Sequence, residues 1–116
     1  MRRVASAEAL YAEILDAAQV AFKDVWQSSP GYLAGEFRAL ANQLADIAHN
    51  LQLNAQDASK GYPARTGRLL LQMQRNACES LLVATTQLTL LSIQAAMDAV
   101  FNALKTVFSS ALASVL

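Results

Sequence analysis

Charge is scarce in this chain. Nine basic and nine acidic residues cancel, and charged side chains make up 16% of 116 positions, against roughly 25% in an average soluble protein. The cancellation removes the broad positive field that non-specific nucleic-acid binding needs. A single cysteine excludes an internal disulfide framework, and one cysteine with one histidine cannot complete a zinc site of the usual ligand types. Two prolines and four glycines are too few for a low-complexity, disordered chain. Long apolar runs are missing too. The C-terminal third carries only Asp98 and Lys105 as charges, yet Thr, Ser, Gln and Asn recur every few positions, so no transmembrane helix is expected. The start, Met1-Arg2-Arg3-Val4-Ala5, meets Glu8, Glu13 and Asp16 before any run of signal-peptide length. With a lone thiol and no leader, the expected location is cytoplasmic, with leaderless export left open.

What the chain does have is helical periodicity, over a length suited to one domain spanning 1–116 and with 54% hydrophobic residues. From about Ser6 to Ser28, Leu10, Tyr11, Ile14, Leu15, Ala18, Ala21, Phe22, Val25 and Trp26 fall on one helical face, with Glu13, Asp16, Gln19 and Lys23 opposite. Ser6 is placed to cap this helix. Ser28-Ser29-Pro30-Gly31 ends it, with Ser29 the expected cap of the next. The second helix, about 30–60, carries Leu33, Phe37, Leu40, Leu44, Ile47 and Leu51. These step alternately by four and three, which draws a narrow seam for packing on a neighbour. Gly61 and Pro63 supply a stop, and Thr66 is a plausible cap for a third helix starting near Gly67.

From Gly67 to Leu116 there is no proline and no further glycine. A polar stripe through Gln72, Asn76, Ser80, Gln87, Gln94, Asp98, Asn102, Lys105 and Ser109 keeps a spacing near 3.6, the mark of one continuous helix over 67–116. Such a helix would be about 75 Å long. The expected fold is all-α: an antiparallel helical hairpin plus this long C-terminal helix, or a four-helix bundle if the last helix breaks near residues 85–92.

Few residues invite chemistry. Asp46 and His49 share a helical face as metal ligands in bundle cores do, but no second pair accompanies them. Cys78 lies between Arg75, which would lower its pKa, and Glu79, which would raise it, so no activation follows. No serine fits a nucleophile elbow and no glycine run fits Walker spacing. No catalytic, metal or cofactor residue is therefore assigned, and an enzyme with a site between subunits, using Asp46, His49 or Cys78, ranks last. Lys60, Arg65, Arg68 and Arg75 form the one basic run without an intervening acid. They are a candidate anion site, weighed against an ordinary soluble turn. Trp26, Tyr32 and Tyr62 sit at the turns, where they can close a bundle or anchor a partner.

The feature that asks for an explanation is the apolar width of the third helix. Leu88, Leu91, Met97, Val100, Phe101, Leu104, Val107, Phe108 and Leu112 leave only a narrow polar stripe, and such a helix is usually covered on several sides. The expected cover is a second copy packed helix to helix, in a homo-oligomer or filament without enzymatic activity. A lipid or other hydrophobic surface is the alternative, although classical interfacial helices carry a Lys- and Arg-rich polar side. The texture of Gln87-Leu88-Thr89-Leu90 and Ile93-Gln94-Ala95-Ala96 resembles that of phasins, which coat storage granules, and of helical-hairpin subunits of secretion filaments. Those resemblances imply a coat or an assembly subunit and assign no role to any residue.

Overall fold

The computed structural model describes residues 6–28, 30–108 and 110–116, with side chains at all of these except 24, 27, 28, 30, 110 and 111. The first five residues, the expected cap Ser29 and the stripe member Ser109 lie outside it. Four long helices form: α1 (Ala7–Ser28), α2 (Pro30–Gln56), α3 (Ala64–Thr86) and α4 (Leu90–Val107), followed by a single turn, α5 (Ser110–Ala113). Among the described residues the fold is all-α without strands.

Each helix follows from its sequence, with local differences. The Ser6 Oγ accepts from the Ala9 N–H at 3.2 Å and caps α1 as its position predicts. Leu10, Ile14, Ala18 and Phe22 make its buried face. A kink interrupts α1 at Lys23 (φ 39°, ψ −111°) without help from glycine or proline. Beyond it Trp26 stacks on Phe37 of α2, ring centroids 6.1 Å apart. On α2 every member of the four-three seam from Leu33 to Leu51 is buried. This helix stops at Gln56, short of Lys60, because side chains capture the backbone beyond it. Asp57 Oδ1 accepts from the Ser59 N–H and hydroxyl, and the Asn54 amide donates to the carbonyls of Ala58 and Lys60. Gly61 then takes a left-handed φ of 56°, where a Cβ would collide with the carbonyl of Asn50. With Pro63 as its N-cap, α3 begins at Ala64, earlier than Thr66 suggests.

The continuous helix over 67–116 does not form; the four-helix arrangement does. Gln87 ends α3 in the left-handed conformation (φ 63°, ψ 12°), its N–H bonded to the Val83 carbonyl. Thr89 is extended and its hydroxyl accepts from the Ser92 N–H at 3.1 Å, capping α4. Threonine hydroxyls tighten the turn: Thr86 Oγ1 donates to the Leu82 carbonyl at 2.6 Å and accepts from the Leu88 N–H. Arg75 reaches both Gln94 and Asp98, so α3 and α4 run antiparallel about this turn. The physical reason is burial. A straight helix of that length needs about 75 Å, whereas the molecule is 45 Å along its longest axis and has a radius of gyration of 14.2 Å. Folding back places α4 against α1 and α3, and the ring closes as α1 packs on α2 and α2 on α3. One core results, with α5 covering α2 and α4.

Candidate functional site

The residues expected to await a partner mostly have one within the chain. Met97, Val100, Phe101, Leu104, Phe108 and Leu112 are all buried in the core, and Leu88 and Val107 pack against it half-buried. Leu91 alone stands out, 77% exposed on the first turn of α4.

Of the four basic residues, Arg68 and Arg75 line one hollow, and Lys60 and Arg65 take no part in it. That hollow, of about 230 Å³, is floored by Leu71, Phe101 and Val115. The Arg75 guanidinium is already engaged. Its Nε donates to Glu79 Oε2 at 2.8 Å, and its Nη2 donates to Asp98 Oδ1 at 2.6 Å and to the Gln94 carbonyl at 3.2 Å. Its plane lies over the Phe101 ring, 5.0 Å from the centroid. Burial works against its charge, but the hydrogen bonds to Glu79 and Asp98 outweigh that and raise its pKa. The carboxylates of Glu79 and Asp98 offset the charge of Arg75, and the second guanidinium of the hollow, Arg68, donates from Nη1 to the Ser114 carbonyl at 3.4 Å.

The reactive groups stay separate. Cys78 is buried, and burial, followed by the charges of Glu36 and Glu79, pushes its thiol up to about 12. That is opposite to the activation a nucleophile requires. Asp46 and His49 are exposed on α2. No group of three or more His, Cys, Asp or Glu suited to a metal ion occurs among the described residues.

The site that periodicity missed is the outward face of α3. Gly67, Leu71, Cys78 and Leu82 turn inward. At 100° per residue, Leu69, Met73, Ala77 and Ala84 fall away from these, and Leu70 and Leu81 flank them on the same side of the helix, so the six share an arc of about 120°. All six are exposed, Leu69 by 62% and Met73 by 68%. From Leu69 onward this face carries no charge; the exposed Arg65 lies one turn before it. After Arg68 the only ionisable side chains of α3 besides Cys78 are Arg75 and Glu79, and both are withdrawn into the ion-paired cluster with Asp98. The stripe runs from Leu69 to Ala84, about 22 Å at 1.5 Å per residue. Leu90 and Leu91, on the first turn of α4 just beyond the α3–α4 turn, are exposed as well. The signal was present in Leu69-Leu70-Leu71, since three consecutive leucines on a helix span some 200° and cannot all face one core.

No family model matches this chain, no curated protein matches it in sequence, and no solved structure matches it.

Proposed function

We propose that the protein is a non-enzymatic helical subunit that self-associates, two copies meeting through the outward faces of α3. The carrying observation is an uncharged, largely apolar stripe, with Ser80 as its polar member, on a helix whose Arg75 and Glu79 are turned inward. Large exposed apolar side chains scattered singly need no explanation, but a continuous stripe does. Leu69, Leu70, Met73 and Leu81 on α3 expose roughly 400 Å², and a contact that also takes in Leu90 and Leu91 on the first turn of α4 covers roughly 600 Å². Doubling that in a symmetric pair reaches the lower end of the ~1,200–2,000 Å² buried by specific interfaces. A two-fold contact places the same face on both sides, so a charge-free face meets no like charge. Ala77 and Ala84 permit close approach of the two helices.

A lipid or polymer coat receives less support. The polar positions that border or enter the stripe beyond Arg68 are Gln72, Asn76 and Ser80, without the basic rim that draws amphipathic helices to anionic surfaces.

Sedimentation equilibrium of the full chain tests the proposal. The expected result is a concentration-dependent species of twice the 12.5 kDa chain mass, lost in the double variant Leu69→Lys, Met73→Lys while its helical circular dichroism stays intact. A 12.5 kDa species at every concentration overturns it, as does a dimer indifferent to both substitutions. Flotation of the wild type with phospholipid vesicles, in place of self-association, would favour the coat.

A further inference from the structure

The buried sides of α3 and α4 share one register through the turn that separates them. Stepping by four, three and four residues, an 11-residue ladder visits Leu71, Arg75, Cys78, Leu82, Ile93, Met97 and Val100, all buried except the half-buried Arg75. Between the helices it passes through Thr86 and Thr89 without losing phase. Eleven residues in three turns is 3.67 per turn, close to the natural helical period. If the turn straightened, one helix from Ala64 to Val107 would therefore present the same residues on the same side.

The turn itself is held by threonine hydroxyls. Gln87-Leu88-Thr89 holds neither glycine nor proline. Gln87 sits at a φ of 63°, a region that disfavours any residue carrying a Cβ. Its N–H bonds the Val83 carbonyl, which is already the helical pairing. Straightening would replace the remaining turn bonds, Leu88 N–H to Thr86 Oγ1 and Ser92 N–H to Thr89 Oγ1, with helical ones. Short hinges under strain favour exchange of the element beyond them between identical chains.

We propose that Gln87-Leu88-Thr89 is a hinge through which α4 and the following segment of one chain exchange with those of a second copy, giving a dimer built on two continuous helices from Ala64 to Val107. The occupant is fixed by the fold, because the groove vacated by one α4 fits only another α4 with the same contacts. Arg75 of one chain would then meet Asp98, Gln94 and Phe101 of the other. The exchange makes no use of the outward face of α3, so it stands or falls separately from the association proposed above.

The test is an intrachain distance. Gln72 and Asn102 are exposed on α3 and α4 and lie opposite each other about the turn. Both are replaced by cysteine for spin labelling in a Cys78→Ala chain, diluted into excess unlabelled protein. The mixture is unfolded in denaturant, refolded at high concentration and separated by size. In the closed chain the labels sit on neighbouring helices with axes roughly 10 Å apart. In the exchanged dimer they are 30 residues apart on one helix, about 45 Å. The expected result is a dimer fraction showing the long distance, reduced about fivefold by Gln87→Gly, which removes the disfavoured backbone conformation. A dimer fraction with only the short distance overturns the exchange while leaving the α3-face dimer standing. Refolding to monomer alone overturns it as well.

Discussion

Arg75 on α3 donates from Nη2 to Oδ1 of Asp98 on α4 at 2.6 Å, across the turn that sequence periodicity does not announce. The same guanidinium holds Glu79, whose side chain is 4% exposed, at 2.8 Å. This cluster fastens α4 to α3 and also clears the outward face of α3 of charge. Stability of the hairpin and the character of the exposed stripe thus depend on one arginine.

Arg75→Met should destabilise the fold by about 3 kcal/mol, because it strands the buried Glu79 carboxylate. Asp98→Asn should cost less than about 1 kcal/mol, since Asp98 is 64% exposed. Adding Glu79→Leu to Arg75→Met should restore most of the loss. Urea unfolding of the four proteins checks the order, and an equal loss in Arg75→Met and Asp98→Asn would contradict it.

Two glycines should respond in opposite directions. Gly61→Ala forces a Cβ into the Asn50 carbonyl at a left-handed φ and should cost about 2 kcal/mol or more. Gly35 lies inside α2 with open space around it, so Gly35→Ala should stabilise by up to about 1 kcal/mol through helix propensity. Thermal melts of the two variants give the signs directly.

Cys78 makes stability depend on alkaline pH. Its thiol is raised in the folded chain from 9.0 to about 12. The stabilisation from keeping it protonated is complete below pH 9 and is lost as pH rises towards 12. Between pH 9 and 10.5 the wild type should lose about 1.6 kcal/mol relative to Cys78→Ala, the slope rising to 1.36 kcal/mol per unit as the unfolded thiol ionises. Parallel denaturation of both proteins across that range measures the gap, and a constant gap would contradict the burial of the thiol. At pH 8 the same thiol should react with a disulfide reagent only as fast as the chain unfolds.

The class of fold and two of its helices were legible because their signals are local. Ser6 caps where a serine before an apolar face should, and the seam from Leu33 to Leu51 is buried throughout. The break between α3 and α4 was legible only as an alternative. Its signals are a left-handed glutamine and a threonine cap, both weaker than glycine or proline, while the apolar phase runs through unchanged. Tertiary packing makes that choice, since only a folded-back α4 covers α1. The same cause moved the exposed apolar surface. Once Met97, Val100 and Leu104 entered the core, the leftover stripe was the one beginning at Leu69, on the side of α3 with no helix of its own to meet.

A covalent trap at the centre of that stripe tests self-association through α3 most directly. A symmetric pair places the midpoint of the face on the two-fold axis, and the midpoint between Leu69 and Ala84 falls at Ala77. In a Cys78→Ala chain, Ala77→Cys should oxidise rapidly to a disulfide-linked dimer, whereas a cysteine at the exposed Asn102 of α4 should remain monomeric under the same conditions. Equal, slow cross-linking at the two positions would contradict the account.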